Sequence, residues 1–459
     1  MCRFTTLLLL VLAGTALHAE PRNVRVSYYD PDTAHKAAVT WTTDGLDEAT
    51  ILQYGYVAPG QFDAVAQVSQ GPGDLGAINV AFLDDLKADT VYQYRVGDGA
   101  TWTSTKSFRT GPEDQCAPFR FAAFGDNRPD ADWLPQLKWN PILEETAGAG
   151  PAFLLHTGDI VKDGQILQQW KDFLNNSDPV LASIPLMATI GNHDDGPGVG
   201  EGANYNRIFT LPTNEATGTE DFYYFRYGNA IFVSLSSQTF GGGESLFQTQ
   251  ADWLDKVLTD NPAQWKFVML HHPPYTSHAS FDLIFTEFEF NHPPDEKGYN
   301  SVLVPIFDKH HVDIVFAGHN HYYERIGPVA MGADPAQGVE VADFDQGTVY
   351  VITGGAGALV YDEFNIPWIN IEVDLVDWVC GKAVGSKVCA GDHHFVTIDI
   401  DDGHLHFEAR ATAQQTVAYD LGNQALIDVF DIYKEPSEDC LEVPVEPDPV
   451  ESSPEYIEA

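Results

Sequence analysis

Five short clusters of acidic, amide and imidazole side chains, each following an apolar run, most constrain what this chain can fold into. In order they are GDNRPD (125–130), GDIVKDG (158–164), GNHD (191–194), MLHHPPY (269–275) and GHNHYYER (318–325). Three of them follow strand-like runs, FRFAAF, PAFLLHT and DIVFA, which predict that the clusters reach the same edge of a parallel sheet. Five such clusters at strand ends indicate a metal site rich in acidic groups and imidazoles.

The acidic composition excludes some classes of function. At 459 residues the chain is long enough for a large core and a second module. It carries 67 acidic and 24 basic residues, a formal net charge of −43, which argues against binding to nucleic acid and against attraction to anionic lipid. An enzyme with anionic substrates would need bound cations to reverse this field locally. The simplest alternative is that the charge keeps the chain soluble in a salty or extracellular setting.

The N-terminus has the pattern of a secretory signal peptide. Arg3 precedes the apolar run LLLLVLAGTAL, and the small residues Ala16 and Ala19 stand just before Glu20, which predicts cleavage after Ala19. The run is too short to span a bilayer, and no later stretch reaches ~18 apolar residues. We expect a secreted protein without a membrane span, either extracellular or periplasmic. The oligomeric state is left open.

Four cysteines follow the predicted signal peptide: Cys116, Cys380, Cys389 and Cys440. An even number of cysteines in an oxidising compartment predicts disulfides. Cys380 with Cys389 would close a short loop, and Cys116 with Cys440 would tie together the two ends of the catalytic region. Four cysteines allow three connectivities, so the pairing stays open.

The chain divides into four predicted segments. The signal peptide covers residues 1–19, and the alternating runs KAAVTWTT, TILQYGYV and TVYQYRVG predict an all-β module over residues 20–112. Alternating strand and helix patterns predict an α/β domain over 113–434, with helices in WLPQLKWNPILEE, QILQQWKDFL, LFQTQADWLDKVL and VLVPIFDKHH. The acidic, proline-rich tail at 435–459 is predicted to be disordered past Cys440.

The five clusters supply the ligands that a pair of divalent or trivalent cations needs. These are hard carboxylate oxygens, an amide oxygen and neutral imidazoles, from Asp126, Asp159, Asn192, His271, His319 and His321. Because residues two apart in an extended loop can point to the same side, His319 and His321 could reach adjacent cations. The two oxygens of Asp159 could bridge metals ~3.5–4 Å apart.

The ordered set of clusters resembles that of the calcineurin-type metallophosphoesterases, and most of all the purple acid phosphatases. The stretches VDIVFAGHNHYYER, FYYFRYGNAIFVSLSS and WKFVMLHHPPY are similar to that branch at length. The N-terminal module resembles the fibronectin type III sandwich that precedes the purple acid phosphatase catalytic domain. The resemblance implies an α/β fold, a four-layer αββα sandwich, preceded by this small all-β sandwich.

The resemblance also implies a role for each ligand. Asp126 and His321 would hold the first metal, and Asn192, His271 and His319 would hold the second. The Asp159 carboxylate would lie between the two metals. His272 also follows the fourth apolar run, but matching to the family favours His271.

Three further residues are catalytic candidates. In the family, hydroxide on the metals attacks phosphorus in line. His193 would then steady the phosphoryl oxygens or protonate the leaving group, and His278 is a second candidate proton donor. Arg128 could pair with the substrate phosphate.

Two departures from the family pattern concern the metals. Lys162 stands where purple acid phosphatases have the tyrosine that binds iron(III). A protonated lysine cannot ligate a metal, so we expect neither a tyrosinate complex nor a purple colour, and Fe, Zn, Mn or Ca remain possible. Arg128 stands where other branches have a histidine ligand, which leaves the first metal short of one. Asn127, water or Asp163 could complete that site.

The leading hypothesis is a secreted phosphomonoesterase that hydrolyses small-molecule phosphate esters. Arg128 and Lys162 could supply the extra positive charge that a monoester dianion requires. A phosphodiesterase acting on nucleotide or glycerophospho-diesters is the first alternative, because the same two-metal centre serves both reactions. A non-catalytic surface-binding protein is the second. Two loops, at 196–209 and 279–300, are candidates for selecting the substrate.

Overall fold

The computed structural model describes residues 21–46, 49–56, 58–71, 76–129, 138–194, 203–238, 244–278, 280–283, 286–289, 292–360, 365–366, 371–372, 379–413, 425–437 and 440. The predicted signal peptide lies outside these residues, as do nearly all of the predicted tail and part of each candidate substrate loop. Those interpretations therefore stay predictions.

The N-terminal module is all-β, as predicted. Its eight strands are β1 (Arg22–Ser27), β2 (Ala37–Thr43), β3 (Ile51–Gly55), β4 (Ala64–Ala66), β5 (Val68–Gly71), β6 (Ala77–Leu83), β7 (Val91–Gly97) and β8 (Lys106–Arg109). They form two antiparallel sheets, in the orders β1-β2-β6-β5 and β4-β3-β7-β8. The inward residues Trp41, Tyr94 and Phe108 are buried together, because side chains alternate between the faces of a strand.

The rest of the described chain alternates strands and helices. Its strands are β9 (Phe119–Phe124), β10 (Leu154–His156), β11 (Leu186–Ala188), β12 (Tyr223–Tyr227), β13 (Ala230–Ser234), β14 (Trp265–Met269), β15 (Ser280–Leu283), β16 (Thr286–Glu289), β17 (Ile314–Ala317), β18 (Tyr323–Ala330), β19 (Val339–Glu340), β20 (Thr348–Thr353), β21 (Asn365–Ile366), β22 (Ile371–Glu372), β23 (Ser386–Ala390), β24 (His394–Asp401), β25 (His404–Ala411) and β26 (Leu426–Tyr433). Its helices are α1 (Trp139–Gly148), α2 (Leu167–Leu181), α3 (Ala203–Ile208), α4 (Glu244–Asp260) and α5 (Asn300–His310), with a 3₁₀ turn at Phe344–Gln346.

Two large sheets carry the clusters, whereas the strand-like runs alone predicted a single shared sheet. The first has the order β11-β10-β9-β24-β25-β26, and the second runs β12-β13-β14-β17-β20-β18-β19 with β23 paired to β18. Strands β9 and β10 are parallel neighbours in the first sheet, whereas β17 lies between β14 and β20 in the second. The prediction that FRFAAF, PAFLLHT and DIVFA share a sheet is therefore wrong. All three runs are apolar because both sheets are covered on both faces.

The two sheets pack face to face, with helices on the outside. The Phe121 ring of β9 lies 5.0 Å from the Phe232 ring and 5.1 Å from the Phe267 ring in the opposite sheet, centroid to centroid. Trp139 of α1 and Trp170 of α2 are buried in the core that includes the first sheet, and α4 and α5 pack on the outer face of the second. The predicted αββα order is confirmed.

Covalent and polar links connect distant parts of the chain. Cys116 is bonded to Cys440, 324 residues away, and Cys380 to Cys389, which confirms the pairing considered from the sequence. The Tyr94 hydroxyl of the β-sandwich donates to the Ala182 carbonyl just after α2, at 2.6 Å. Among the helices within the described ranges, none is long and apolar enough to cross a membrane.

Candidate metal centre

The loops that follow three of the strands bend sharply where candidate ligands stand. Asp126 follows β9, Asp159 follows β10 and His319 follows β17, with φ values of 60°, 57° and 70°. Residues with a side chain rarely adopt this left-handed conformation, which costs roughly 1–2 kcal/mol per residue. Such strain clusters at functional sites, where surrounding contacts hold it in place.

Gly191 allows two of these loops to approach closely. A Cβ atom built on Gly191 would overlap the backbone nitrogen and Oδ1 of Asp159. The loop after β10 and the loop after β11 therefore lie too close together for a side chain at position 191, which requires glycine.

His271 is the meeting point of one set of candidate ligands. Its Nε2 lies 3.0 Å from Asn192 Oδ1, 3.2 Å from Asp159 Oδ1 and 3.2 Å from His319 Nδ1. Asp159, His271 and His319 are buried. One imidazole nitrogen thus faces a carboxylate oxygen, an amide oxygen and a second imidazole nitrogen.

The other set of candidate ligands consists of Asp126, His321 and the same Asp159. His321 Nε2 is 3.6 Å from Asp126 Oδ1, and one ligand atom each from Asp126, Asp159 and His321 lies within 4.8 Å of the others. The structure thus brings all six predicted ligands together. Asp159 belongs to both sets, which is the arrangement expected of a bridging carboxylate.

Hydrogen bonds outside the cluster leave nitrogen lone pairs pointing into it. His271 Nδ1 lies 2.8 Å from the Thr157 carbonyl, and His321 Nδ1 lies 2.9 Å from the Leu359 carbonyl. Because a carbonyl only accepts, each Nδ1 carries a hydrogen, and Nε2 is the ring nitrogen that faces the cluster and can give its lone pair to a cation. Metal-binding histidines are held in this way. The donor set therefore fits cations that take oxygen and imidazole ligands.

Opposite charges in the cluster stabilise each other. Burial opposes a charge on His271, but the neighbouring Asp159 and Asp126 carboxylates outweigh it and raise the pKa of this imidazole to about 9. Burial also opposes the charge of Asp159, yet His271 and His193 hold the pKa of its carboxyl well below the usual range. The protein thus favours positive charge beside Asp159, where a cation would take the place of a proton.

Arg128 and His193 lie at the rim of the cluster. Arg128 Nε is 3.3 Å from Asp159 Oδ2, Arg128 Nη2 is 3.3 Å from His321 Nε2, and the Arg128 side chain is 12% exposed. His193 donates from Nδ1 to the Lys162 carbonyl at 2.7 Å, and its Nε2 lies 3.9 Å from Asp159 Oδ2. Both side chains can therefore reach a group bound at Asp159.

The structure places His278 in a neighbouring cavity. This cavity of ≈ 290 Å³ is also lined by Tyr275, Thr276 and Lys382. His278 Nε2 is buried and has no hydrogen-bond partner among the residues described. Within those residues, no hydrogen bond or ion pair joins His278 to the six candidate ligands, so its predicted role as a proton donor stays a prediction.

Two of the residues considered for completing the first metal site already have partners. Asn127 Oδ1 lies 2.7 Å from His156 Nε2, and Asp163 Oδ1 accepts a hydrogen bond from the Gln165 backbone at 2.9 Å. Asn127 thus orients His156, which is not among the six candidate ligands.

Sequence reasoning missed two acidic residues that support the ligands. The Asp194 carboxylate accepts from the backbone nitrogens of Asp159, Ile160, Val161 and Gly191 at 2.8–3.2 Å. Its place at the end of GNHD was the available signal.

The second missed residue is Glu296, whose Oε2 accepts from His319 Nε2 at 2.8 Å. Glu296 stands in a candidate substrate loop, where no motif marks it.

Comparisons with known proteins relate the chain to two families. The calcineurin-like phosphoesterase family matches residues 108–323, and the purple acid phosphatase N-terminal domain matches residues 21–110. Human acid phosphatase type 7 is 28% identical over 382 residues, covering 77% of this chain and 83% of the relative. A probable purple acid phosphatase 20 of Arabidopsis thaliana is 26% identical over 360 residues, covering 74% of each chain.

Solved structures show the same fold. A purple acid phosphatase from yellow lupin (Lupinus luteus) seeds superposes with a TM-score of 0.68 at 20% identity, covering 96% of this chain and 78% of the lupin chain. The structure of PhoD superposes with a TM-score of 0.66 at 13% identity, covering 91% of each chain.

Proposed function

The chain belongs to the calcineurin-like metallophosphoesterases, in their purple acid phosphatase-like branch, and is a metal-dependent phosphatase; from this premise we propose that it is a secreted phosphomonoesterase with a two-metal centre. The substrate would be a small organic phosphate ester. The observation that carries the proposal is the position of Asp159, whose carboxylate belongs to both sets of candidate ligands.

The metal ligands would be the six residues predicted from the sequence. Asp126 and His321 would hold one cation, Asn192, His271 and His319 the other, and Asp159 both. When bound, the cations supply Lewis-acid charge to the phosphoryl oxygens and lower the pKa of water. The family implies a dinuclear centre of this kind, and Lys162 in place of tyrosine supports one without an iron(III)-tyrosinate complex.

Arg128 and His193 would bind and protonate the substrate. The Arg128 guanidinium, already directed at Asp159 and His321, can donate two parallel hydrogen bonds to a phosphate. His193 is held by the Lys162 carbonyl through Nδ1, so its Nε2 is the nitrogen that can exchange a proton with substrate. Burial lowers the pKa of His193, which makes its protonated ring a stronger acid toward the leaving group.

A monoester is favoured over a diester by the cationic groups near the centre. A monoester dianion carries one more negative charge than a diester, and Arg128 adds a positive charge at the rim.

Secretion is supported by the two disulfides and by the predicted signal peptide. Both features fit an enzyme that acts outside the cytoplasm.

The test is hydrolysis of 4-nitrophenyl phosphate and bis(4-nitrophenyl) phosphate by the purified mature protein. Both rates would be measured after chelation and after return of Zn²⁺, Mn²⁺, Ca²⁺ or Fe²⁺. We expect chelator-sensitive turnover with a higher kcat/KM for the monoester, and loss of turnover in Asp159→Asn. Preference for the diester would identify a phosphodiesterase with the same ligands. A protein that binds metal but turns over neither ester would support the surface-binding alternative.

A further inference from the structure

The cavity beside His278 differs in charge from the rest of the chain. Its volume of ≈ 290 Å³ is near the lower end of the about 300–1,000 Å³ of small-ligand pockets. The chain carries 67 acidic and 24 basic residues, yet within its described part the cavity is lined by no aspartate or glutamate. The lining residues that can carry a positive charge are His278 and Lys382. A cavity of this composition favours an anion.

Neither of these two side chains is paired within the residues that the structure describes. His278 Nε2 is buried and has no hydrogen-bond partner there, although buried polar nitrogens normally have one. The Lys382 ammonium forms no ion pair with a described carboxylate. Val384, a third lining residue, is 44% exposed, so the cavity is accessible from solvent. An anion that enters it can accept hydrogen bonds from both side chains.

Bonds within the protein fix the walls of the cavity. The disulfide between Cys380 and Cys389 closes the loop that carries Lys382. The backbone nitrogen of Lys382 donates to Ser277 Oγ at 2.8 Å, and the backbone nitrogen of Ser277 donates to the buried Glu324 carboxylate at 2.9 Å. Glu324 is therefore bonded behind the wall of the cavity. Because the loop is already ordered, a ligand loses less free energy to ordering the protein when it binds.

The cavity is connected to the proposed metal centre at two places. Asn320, which stands between two of the proposed ligands, donates from Nδ2 to Thr276 Oγ1 at 2.9 Å, and Thr276 lines the cavity. Pro294, another lining residue, stands two residues before Glu296, whose carboxylate accepts from His319 at 2.8 Å. A substrate with one phosphoryl group at the centre can therefore extend another part of itself toward the cavity.

We propose that this cavity binds a second phosphate group of the substrate, so that the enzyme prefers organic molecules that carry two phosphates. The inference rests on the proposed function, since it requires the reacting phosphate to lie at the metal centre. Lys382 supplies a point charge to the distant phosphate, and His278 donates to it from Nε2. A phosphate dianion matches two cationic side chains, whereas a carboxylate carries one charge. His278 thereby gains a binding role that needs no proton transfer.

The test compares matched ligands on the full chain loaded with Zn²⁺. The probes are alkane bisphosphonates with linkers of three to eight carbons and the alkyl monophosphonates of the same lengths. Their carbon–phosphorus bonds are not hydrolysed, so calorimetry measures binding without turnover. We expect the bisphosphonate of at least one length to bind about tenfold more tightly than its monophosphonate, the size expected of a hydrogen bond to a charged group. Two equivalent ends alone give a factor of two.

Lys382→Ala should lose most of this preference for the bisphosphonate, and Lys382→Arg should retain it. His278→Gln should lose part of it. Lys387→Ala is the matched control, because Lys387 lies in the same disulfide-closed loop and its ammonium is paired with Glu340. This variant should keep the wild-type ratio of dissociation constants.

The same ratio in wild type and Lys382→Ala, or no preference at any linker length, would overturn the second-phosphate site. Equal affinity for carboxyalkyl phosphonates of the same lengths would overturn the choice of phosphate. Hydrolysis of the two nitrophenyl esters tests the proposed function separately. A wild type that prefers bisphosphonates but hydrolyses neither ester would overturn that function and keep the cavity as an anion site.

Discussion

Asp159 and His271 are held to each other from both sides of the imidazole ring. Oδ1 of Asp159 lies 3.2 Å from Nε2 of His271, while the carbonyl of Thr157, two residues before Asp159, accepts from Nδ1 at 2.8 Å. A single loop after β10 therefore fixes both the tautomer and the direction of a ring that follows β14. Contacts within the protein therefore orient the His271 ring, the proposed ligand, without help from a bound cation.

Replacing His271 should remove a metal and nearly all activity. We expect His271→Ala to lower kcat/KM by at least ~100-fold, since changes even to outer-shell metal partners cost 10–100-fold. Metal content and monoester hydrolysis should fall together. His310→Ala is the matched control because its ring lies outside the centre. Full activity of His271→Ala would contradict the proposed ligand set.

His193 and His278 should differ in their effect on turnover. His193 Nε2 is 3.9 Å from Asp159 Oδ2, whereas His278 lines the neighbouring cavity. We expect His193→Ala to lower kcat by roughly 10²–10⁴-fold, the usual contribution of a general acid or base. His278→Ala should change kcat far less. Steady-state kinetics on 4-nitrophenyl phosphate decide this, and a larger loss in His278→Ala would reverse the two assignments.

An added methyl group at Gly191 should damage both stability and the centre. Its Cβ would overlap Asp159, and overpacking of this kind typically costs about 1–3 kcal/mol. Urea unfolding of Gly191→Ala should show that loss, together with reduced metal affinity. Gly148→Ala is the control: at the end of α1, a Cβ meets nothing within 4 Å. Equal stability of the two variants would argue against the close approach.

Asp194 should contribute more to stability than an exposed carboxylate does. In Asp194→Asn one carboxylate oxygen becomes an NH₂ group, which cannot accept from the backbone nitrogens that it faces. Leaving buried donors unpaired costs about 1–3 kcal/mol each. We expect a loss of that order in urea unfolding. Asp172→Asn, on the outer side of α2, should stay close to wild type.

Glu220 should make the protein less stable as the pH rises. Burial raises the pKa of its carboxyl to about 8 from the ordinary 4.5. Between those values the folded chain holds a proton that the unfolded chain has released. The free energy of unfolding should therefore fall by about 1.4 kcal/mol per pH unit from this group alone.

Glu220→Gln should flatten the fall in stability between pH 5.5 and 7.5. Urea unfolding at several pH values in that window gives the slope for each protein. Glu215→Gln provides the control, because Glu215 lies in the same loop region with an exposed side chain. Identical slopes in wild type and Glu220→Gln would show that Glu220 does not hold the proton.

The sequence predicted the elements of the fold better than their arrangement. Helical periodicity over LFQTQADWLDKVL and VLVPIFDKHH predicted α4 and α5, whose observed ends lie within two residues of the ends of each run. An apolar run, however, does not show which buried sheet a strand joins. FRFAAF and DIVFA are equally apolar and lie in opposite sheets. Strand pairing is determined by contacts between distant segments, which periodicity does not contain.

The sequence predicted those residues of the candidate metal centre that stand in the five clusters. Asp126, Asp159 and His271 stand directly after strands, so their convergence followed from the pattern. Glu296 could not be found this way, because its contact with His319 depends on the path of a loop 23 residues away in sequence. The different environments of His271 and His272 likewise become visible only in three dimensions: one ring faces Asp159, and the other faces Glu296.

The pairing of β9 with β24 has a consequence for how the chain is made. β9 opens the catalytic domain and ends beside Asp126, yet one of its two neighbours, β24, is synthesised near the end of the chain. Chains emerge from the ribosome N-terminus first. The N-terminal β-sandwich can therefore form early, while the first half of the metal centre waits for its sheet to be completed. A ribosome that stops before β24 would release a folded sandwich attached to a phosphatase domain without its central strand pair.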